Sequence, residues 1–200
     1  MSKVLNKVRN WGSGPGSLVV LVWGLAAGFV IFASVGSFMV YANSQAFCAN
    51  ACHEMKDHMA KEFKDSIHDK NKSGVRATCP DCHVPHDYIP NYLAKLGLFS
   101  DIWGHFVTRS ISTKEKFEAK RYELAKRVWV DMKKNDSREC RHCHNTAKMD
   151  PEKQTEKARL RHEKGRKERM TCIDCHFAIA HSEPLGPGPQ ELNAANAAKK

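Results

Sequence analysis

The sequence predicts a mainly α-helical protein, with one N-terminal transmembrane helix followed by a small domain that has little regular structure beyond helices. Three observations lead to this prediction: a run of 25 uncharged residues, apolar residues at helical spacing further along the chain, and four short cysteine–histidine motifs. We expect a basic N-terminal segment over 1–17, the membrane helix over 18–42 and the domain over 43–183. Residues 184–200 are expected to be a tail that either wraps the domain or is flexible.

The membrane helix is predicted from the uncharged run that extends from Leu18 to Ala42. At about 1.5 Å per residue, such a helix is longer than the roughly 30 Å hydrocarbon core of a bilayer. Trp23 and Tyr41 lie near its two ends, where amphipathic rings often anchor. The segment before it is basic and the large domain follows it, so the positive-inside rule places the N-terminus in the cytoplasm.

The alternative interpretation of this run is a cleaved signal peptide. A signal peptide has a shorter apolar region of 7–15 residues, so an uncleaved anchor is favoured. The small residues of 33–37 are the best argument for cleavage, and they would equally suit close packing against another membrane helix, as in a homo-oligomer. Residues 12–17, rich in glycine, serine and proline, are predicted to form a hinge before the helix.

Three motifs in the domain consist of two cysteines, two residues apart, followed at once by histidine. This is the attachment signature of c-type haem, in which each thiol adds to one vinyl group and the histidine becomes an axial ligand of the iron. The motifs are Cys79, Cys82 and His83; Cys140, Cys143 and His144; and Cys172, Cys175 and His176.

A fourth, looser motif comes first in the chain, where three residues separate Cys48 from Cys52 before His53. The extra residue is expected to disturb the position of His53, which leaves Met55 as an alternative axial ligand. Cysteine pairs of this kind also occur in zinc knuckles and redox dithiols. Four pairs that each precede a histidine behind a membrane anchor favour haem instead, and they use all eight cysteines.

Four haem groups change what composition implies. The domain is too short to enclose four macrocycles in an ordinary side-chain core, so the cofactors are expected to supply much of its apolar interior. The formal charge of +10 suggests nucleic-acid binding. We expect no such partner, because ionised haem propionates would add about eight negative charges. The remaining basic surface suits an acidic partner or plain solvation.

Helices are predicted between and around the motifs. Residues 54–68 are polar and helical in character, and 92–106 form an amphipathic helix that suits either a membrane surface or packing against haem. Residues 113–135 give the clearest soluble helix, with a capping box of Ser112 and Glu115. Its apolar face is expected to contain Phe117, Leu124, Val128 and Met132. Residues 145–171 are strongly charged and suit a solvated helix.

Each regular haem needs a second axial ligand if it is a low-spin electron carrier. Seven histidines lie outside the positions that follow a cysteine pair, and spacing alone does not assign them: His58, His68, His86, His105, His142, His162 and His181. His142 lies inside an attachment loop and is expected to face solvent. His181 is too close in sequence to His176 to serve the same iron easily, so it is expected to serve a neighbouring haem.

From residue 17 to 185 the chain resembles the NapC/NirT family of membrane-anchored tetrahaem quinol dehydrogenases. The matching stretches include Cys52-His53-Glu54-Met55, Ser73-Gly74-Val75-Arg76-Ala77-Thr78, Asn135-Asp136-Ser137-Arg138-Glu139-Cys140 and Ile179-Ala180-His181. The resemblance implies that Met55 ligates the first haem beside a quinol pocket, and that His68, His162 and His181 are distal ligands of the others. It also implies that Lys95 and Asp101, with Asp87 as a third candidate, are acid–base residues at the quinol.

The function implied is oxidation of quinol from the membrane pool and transfer of electrons to a periplasmic reductase or soluble cytochrome in nitrate- or nitrite-type respiration. The haem domain is then expected in the periplasm and the helix in the bacterial inner membrane. Two alternatives stand beside it: a terminal reductase of nitrite or hydroxylamine, and a passive electron-storage cytochrome. A terminal reductase would need a haem with an open, water-accessible position. The sequence has enough histidines to fill both axial positions of three haems, which favours the quinol dehydrogenase.

Overall fold

The computed structural model describes residues 15–192, which are mostly helical and contain no strand. The chain divides into two compact units, Met1–Asn43 and Ser44–Lys200. Most of the predicted N-terminal segment (1–14) and the end of the predicted tail (193–200) lie outside the described residues.

The first unit contains helix α1, Pro15–Ala42. Residues 15–17 are helical, so the prediction of a hinge is wrong for them; proline is well suited to a first helical turn because it needs no hydrogen-bond acceptor there. Within the described part of the chain, 16–42 is the one stretch long and apolar enough to cross a membrane. Its large apolar side chains, among them Leu21, Trp23 and Phe32, are exposed around the helix. Apolar residues on all sides are typical of a membrane span.

The second unit contains helices of very different length joined by turns. Their bounds are α2 Gln45–Asn50, a π-helical turn Met55–Met59 leading into α3 Ala60–Phe63, α4 Cys79–His83, α5 Tyr88–Phe106, α6 Lys114–Lys134, α7 Arg138–Cys143, 3₁₀ turns Thr146–Lys148 and Pro151–Lys153, α8 Glu156–Lys167 and α9 Cys172–Cys175. The helix predicted over 54–68 therefore ends early, at Phe63, and the one predicted over 92–106 begins earlier, at Tyr88.

Helix α6 begins one residue later than the predicted capping box requires. Thr113 is the N-cap, and its hydroxyl accepts a hydrogen bond from the Lys116 amide at 3.4 Å. The Ser112 hydroxyl instead donates to the Arg109 carbonyl at 3.2 Å. The capping role assigned to Ser112 is wrong, because this side chain closes the preceding turn.

The side-chain core of the second unit is small. Trp129, Ile173 and Leu192 form its buried cluster, to which Tyr122 and Phe177 add half-buried rings. Trp129 and Phe117 are the buried residues of α6. The other residues of the predicted apolar face, Leu124, Val128 and Met132, are half-buried. So few buried apolar side chains agree with the expectation that polypeptide supplies only part of the interior.

Residues 184–192 pack along α6. The Tyr122 hydroxyl donates to the Pro187 carbonyl at 3.2 Å, and the Lys133 ammonium donates to the Pro189 carbonyl at 2.6 Å. Pro189 is fully buried and Leu192 belongs to the core cluster. Residues 184–192 are therefore held against the helix that supports the fourth motif, and the prediction of a flexible tail is wrong for them.

Candidate haem sites

Two of the attachment motifs begin with the same local structure. Asp81 accepts hydrogen bonds from the Thr78 amide and hydroxyl at 2.7 and 2.6 Å, and Asp174 accepts from the Thr171 amide and hydroxyl at 2.7 and 2.8 Å. The pattern Thr-Cys-x-Asp-Cys-His thus encodes a capping box that winds the cysteines into a helical turn. Sequence reasoning did not use these aspartates, although the repeated pattern was visible.

Hydrogen bonds also link the motifs to one another. The side-chain oxygen of Gln45, in the segment before Cys48, accepts from the Cys79 amide at 2.8 Å. The buried Ser137 hydroxyl, at the start of α7, accepts from the Ile173 amide at 3.2 Å. The first motif is therefore fixed beside the second, and the third beside the fourth. All eight cysteines are free of disulfide bonds, as thiols that attach haem must be.

The three candidate distal histidines each lie opposite a histidine of a motif. Ring centroids are 6.1 Å apart for His83 and His181, 6.2 Å for His68 and His144, and 5.8 Å for His162 and His176. Two imidazoles bonded to opposite sides of one metal ion, at about 2 Å each, have ring centres roughly 6 Å apart. The spacing of all three pairs therefore fits axial ligands of a single iron.

The state of the ring nitrogens also fits haem. The Nδ1 atoms of His68 and His181 are buried and have no hydrogen-bond partner, which is costly unless the ring serves another purpose. The Nδ1 atom of His162 lies 2.7 Å from Gln154 Oε1, a contact that orients the ring and leaves Nε2 for a metal. The residues present therefore suit c-type haem.

His83 lines a cleft, and its side chain is exposed there. The protein around this cleft, with a smaller contribution from His181, lowers the pKa of His83, which favours the neutral imidazole. Neutral imidazole is the form that binds metals. The cleft is mainly apolar and is lined by residues of both the first and the second motif: Cys48, Ala49, Met55, Met59, Ala60, Phe63, Thr78, Cys79, Cys82, His83, Ala180 and His181.

A hydrogen-bond network holds the segment that contains His181. The Glu62 carboxylate accepts from the Ser182 amide at 2.9 Å and forms an ion pair with both terminal nitrogens of Arg121. Arg121 also contacts the Ser182 carbonyl at 3.4 Å. This network fixes the backbone next to His181 between α3 and α6, and the sequence alone offered no signal for it.

The first motif separates its two candidate ligands. Met55 lines the cleft, whereas His53 Nε2 lies 3.3 Å from the carboxylate of Glu54. The same carboxylate oxygen is 2.5 Å from Nδ1 of His105 on α5. Glu54 and His105 are 51 positions apart and follow no known motif spacing, so sequence reasoning missed their contact.

The three candidate quinol residues do not converge. Lys95 interacts electrostatically with Cys48, and Asp101 with Cys52, so both lie near the first motif. Burial lowers the pKa of Lys95 and raises the pKa of Asp101. Asp87 precedes the first residue of the same helix, and its carboxylate is 3.5 Å from the Arg138 guanidinium, beside the third motif.

Two other histidines are placed where they face no motif histidine. His58 stacks on Phe117 with centroids 5.1 Å apart, and His86 stacks on His142 at 3.9 Å. His142 is exposed.

These features define a c-type cytochrome of electron transport. The chain matches the description "NapC/NirT cytochrome c family, N-terminal region" over residues 13–186, and it belongs to that family. Residues 15–192 contain one candidate span, which makes this chain a membrane-anchored member.

Three curated relatives illustrate the similarity. The denitrification system component NirT of Stutzerimonas stutzeri is 44% identical over 167 residues, which cover 84% of this chain and 82% of NirT. The cytochrome c-type protein NapC of Escherichia coli K12 is 40% identical over 184 residues, which cover 90% and 91% of the two chains. An Allochromatium vinosum protein named as a tetraheme cytochrome of c type is 42% identical over 171 residues, covering 86% and 91%. No solved structure matches this chain.

Proposed function

We propose that this protein binds four haem c groups, oxidises membrane quinol and passes the electrons to a periplasmic reductase or soluble cytochrome. The haem domain is then periplasmic, the N-terminus cytoplasmic, and the respiration of nitrate or nitrite type. The family, the four motifs and the tetraheme name of one relative support the haem count. The name of another relative, a denitrification system component, supports the respiratory role.

The proposed ligands follow the histidine pairs. We assign His83 and His181 to the second haem, His144 and His68 to the third, and His176 and His162 to the fourth, since each pair has the separation that one iron requires. Met55 is the proposed ligand of the first haem, supported by its place in the cleft. Bound haem supplies one-electron redox chemistry, and the protein supplies position and electrostatics.

One observation carries the quinol assignment: Lys95 and Asp101 lie near the first motif, on a helix with an exposed apolar face. Quinols are apolar molecules dissolved in the bilayer, so their site needs an apolar approach. Helix α5 offers one through exposed side chains that include Tyr88, Ile89, Leu93, Leu96, Phe99, Trp103 and Phe106.

Lys95 and Asp101 are the proposed proton acceptors. A quinol that loses two electrons also loses two protons, and a positioned base lowers the barrier to their removal. Burial raises the pKa of Asp101, so its carboxylate is more basic than that of an ordinary aspartate. Burial also lowers the pKa of Lys95, so the neutral amine that can accept a proton is more populated than in an ordinary lysine. The structure offers Asp87 no comparable position, because its carboxylate contacts Arg138.

The test uses the purified full chain and a menaquinol or ubiquinol analogue, with haem reduction followed by absorption. We expect Lys95→Gln and Asp101→Asn to slow quinol-driven reduction roughly 100-fold, and to leave reduction by dithionite unchanged. Lys114→Gln and Asp131→Asn, which alter exposed charges elsewhere, serve as controls. The assignment fails if neither test variant is slower than the controls.

The same preparation separates the reductase alternative. Nitrite or hydroxylamine is added to the reduced protein, and reoxidation is followed at the same wavelengths. A quinol dehydrogenase without its partner should remain reduced. Rapid reoxidation would favour a terminal reductase instead.

A further inference from the structure

The first motif contains a buried carboxylate that no part of the proposed electron pathway uses. Glu54 is only 4% exposed, although it lies on a short helical stretch at the surface of the domain. A carboxylate is seldom buried unless it is paired, because burial removes its hydration. Its partners here are the rings of His53 and His105, and both contact the same oxygen, Oε1.

The helical geometry of this stretch keeps His53 and Met55 apart. The chain is helical from residue 53, and successive residues of a helix are rotated by about 100°. Side chains two positions apart therefore point in nearly opposite directions. Met55 faces the cleft that contains Cys48, Cys79 and His83. His53 lies on the other side, half exposed, with Glu54.

The contact engages the ring nitrogen that haem would need. Nε2 is the nitrogen farthest from the backbone, so it is the one able to reach an iron from an attachment motif. In His53 this atom lies 3.3 Å from Glu54 Oε1, so the ring nitrogen faces the carboxylate and not the cleft. A carboxylate beside a ring nitrogen favours a proton on that nitrogen, and a protonated nitrogen has no lone pair for a metal.

His105 fixes the carboxylate in turn. Its Nδ1 lies 2.5 Å from Glu54 Oε1, and its ring meets the His53 ring edge-on with centroids 5.1 Å apart. His105 belongs to α5, a 19-residue helix that is independent of the first motif. Glu54 is thus held by a second element and is not free to follow His53 towards the cleft.

We propose that Glu54, held by His105, is a positioning residue that keeps His53 off the first haem and so reserves that iron for Met55. The inference rests on the proposed haem assignment and not on quinol oxidation. It gives a physical reason for methionine ligation in a motif that contains a histidine. The three ligand atoms, which lie within 4.8 Å of one another, would also suit a metal ion. The 2.5 Å contact is already a hydrogen-bond distance that satisfies both atoms, so the direct clamp is favoured.

The test uses the full-length holoprotein and near-infrared magnetic circular dichroism, in which methionine and histidine ligands give charge-transfer bands of different energy. The other three haems are assigned two histidines each, so a methionine band reports the first haem alone. We expect Glu54→Ala to lose most of the methionine band and to gain histidine ligation in its place. His105→Phe, which leaves the motif intact, should cause a smaller shift in the same direction.

Met55→Leu shows whether the ligand has changed. In the wild type it should abolish the methionine band, whereas in the Glu54→Ala background it should change nothing further, because His53 has taken the site. Asp57→Asn is the matched control, since this exposed carboxylate lies on the same turn and pairs only with Lys61 in the described contacts. Its spectrum should equal that of the wild type.

Haem content per chain, measured by pyridine haemochrome, accompanies every spectrum. Four haems with an unchanged methionine band in Glu54→Ala overturn the clamp and leave the haem assignment standing. Loss of the band without a gain of histidine ligation also overturns it, since Glu54 would then support only local structure. Three haems in the wild type overturn the four-haem assignment itself, and the clamp with it.

Discussion

Asp81 and Asp174 occupy the same place in two attachment motifs but have different surroundings. Each accepts two hydrogen bonds from the preceding threonine. Asp174 also forms a 2.5 Å ion pair with Lys133, and both side chains are largely buried, at 4% and 14% exposure. Asp81 therefore caps a turn in the second motif, whereas Asp174 both caps a turn in the fourth motif and neutralises the largely buried Lys133.

This difference predicts unequal costs for the same substitution. Asp81→Asn should lower the free energy of unfolding by about 1 kcal/mol, the usual effect of weakening a helix cap. Asp174→Asn should lower it by about 3 kcal/mol or more, because it also leaves the largely buried Lys133 ammonium without its carboxylate partner. Thermal unfolding of the two variants, at equal haem content, measures both. Equal losses would mean that the ion pair contributes nothing to stability.

Position 186 requires glycine because its backbone lies close to the Tyr122 ring. Its φ is +146°, and a Cβ placed there would lie 2.5 Å from the Tyr122 ring. Gly186→Ala should therefore displace residues 184–192 from α6 and lower the free energy of unfolding by about 1–3 kcal/mol. Gly165→Ala is the control, since a Cβ there meets only Met170 at 3.9 Å. Because Gly165 lies inside helix α8, that change should instead stabilise by up to about 1 kcal/mol.

Helix α5 combines three properties at the scale of an element. Its outer face is apolar and exposed, His105 near its end contacts the first motif, and Lys95 and Asp101 lie near the cysteines of that motif. The sequence predicted the amphipathic pattern and left open whether it faced a membrane or a haem. The structure gives the helix contacts on one side and leaves the other side uncovered within the described residues.

The pKa of Asp101 predicts the pH dependence of the proposed quinol reaction. A base must be deprotonated to act, and burial raises this pKa despite the opposing effects of Arg127 and Ser100. The rate of quinol-driven haem reduction should therefore rise with pH through a range above about 3.9, the ordinary aspartate value. Asp101→Asn should remove that rise. An unchanged pH profile in this variant would exclude Asp101 as the base.

Local patterns predicted the elements of the fold better than the contacts between them. The uncharged run, the helix of 113–135 and the cysteine pairs each depend on spacing within a few turns of chain, and the structure has helices at all of these places. The capping error at Ser112 shows that competing hydroxyls one residue apart are not distinguished by pattern alone. Partners such as Glu62 and Arg121, or Glu54 and His105, are brought together only by folding.

At the scale of the whole domain, the histidine pairs connect segments that are far apart in sequence. His181, near the end of the described chain, faces His83 of the second motif, and His68 faces His144 of the third. The pair of His162 and His176 is more local, because α8 lies directly before the fourth motif. With so small a side-chain core, ligation across the domain is expected to be a main source of its cohesion.

The last prediction tests this pairing. His68→Ala, His162→Ala and His181→Ala should each convert about a quarter of the haem from low to high spin, because each removes one axial ligand from one of four proposed sites. His58→Ala and His86→Ala should leave the spin state unchanged, since their rings stack on Phe117 and His142 instead. Electron paramagnetic resonance of the oxidised protein measures the high-spin fraction. We further expect His68→Ala and His181→Ala to lower the thermal unfolding midpoint more than His162→Ala. The iron ligation of His68 and His181 closes longer loops of the chain, and a link that closes a longer loop contributes more stability. A low-spin third haem in His68→Ala would show that another residue ligates it.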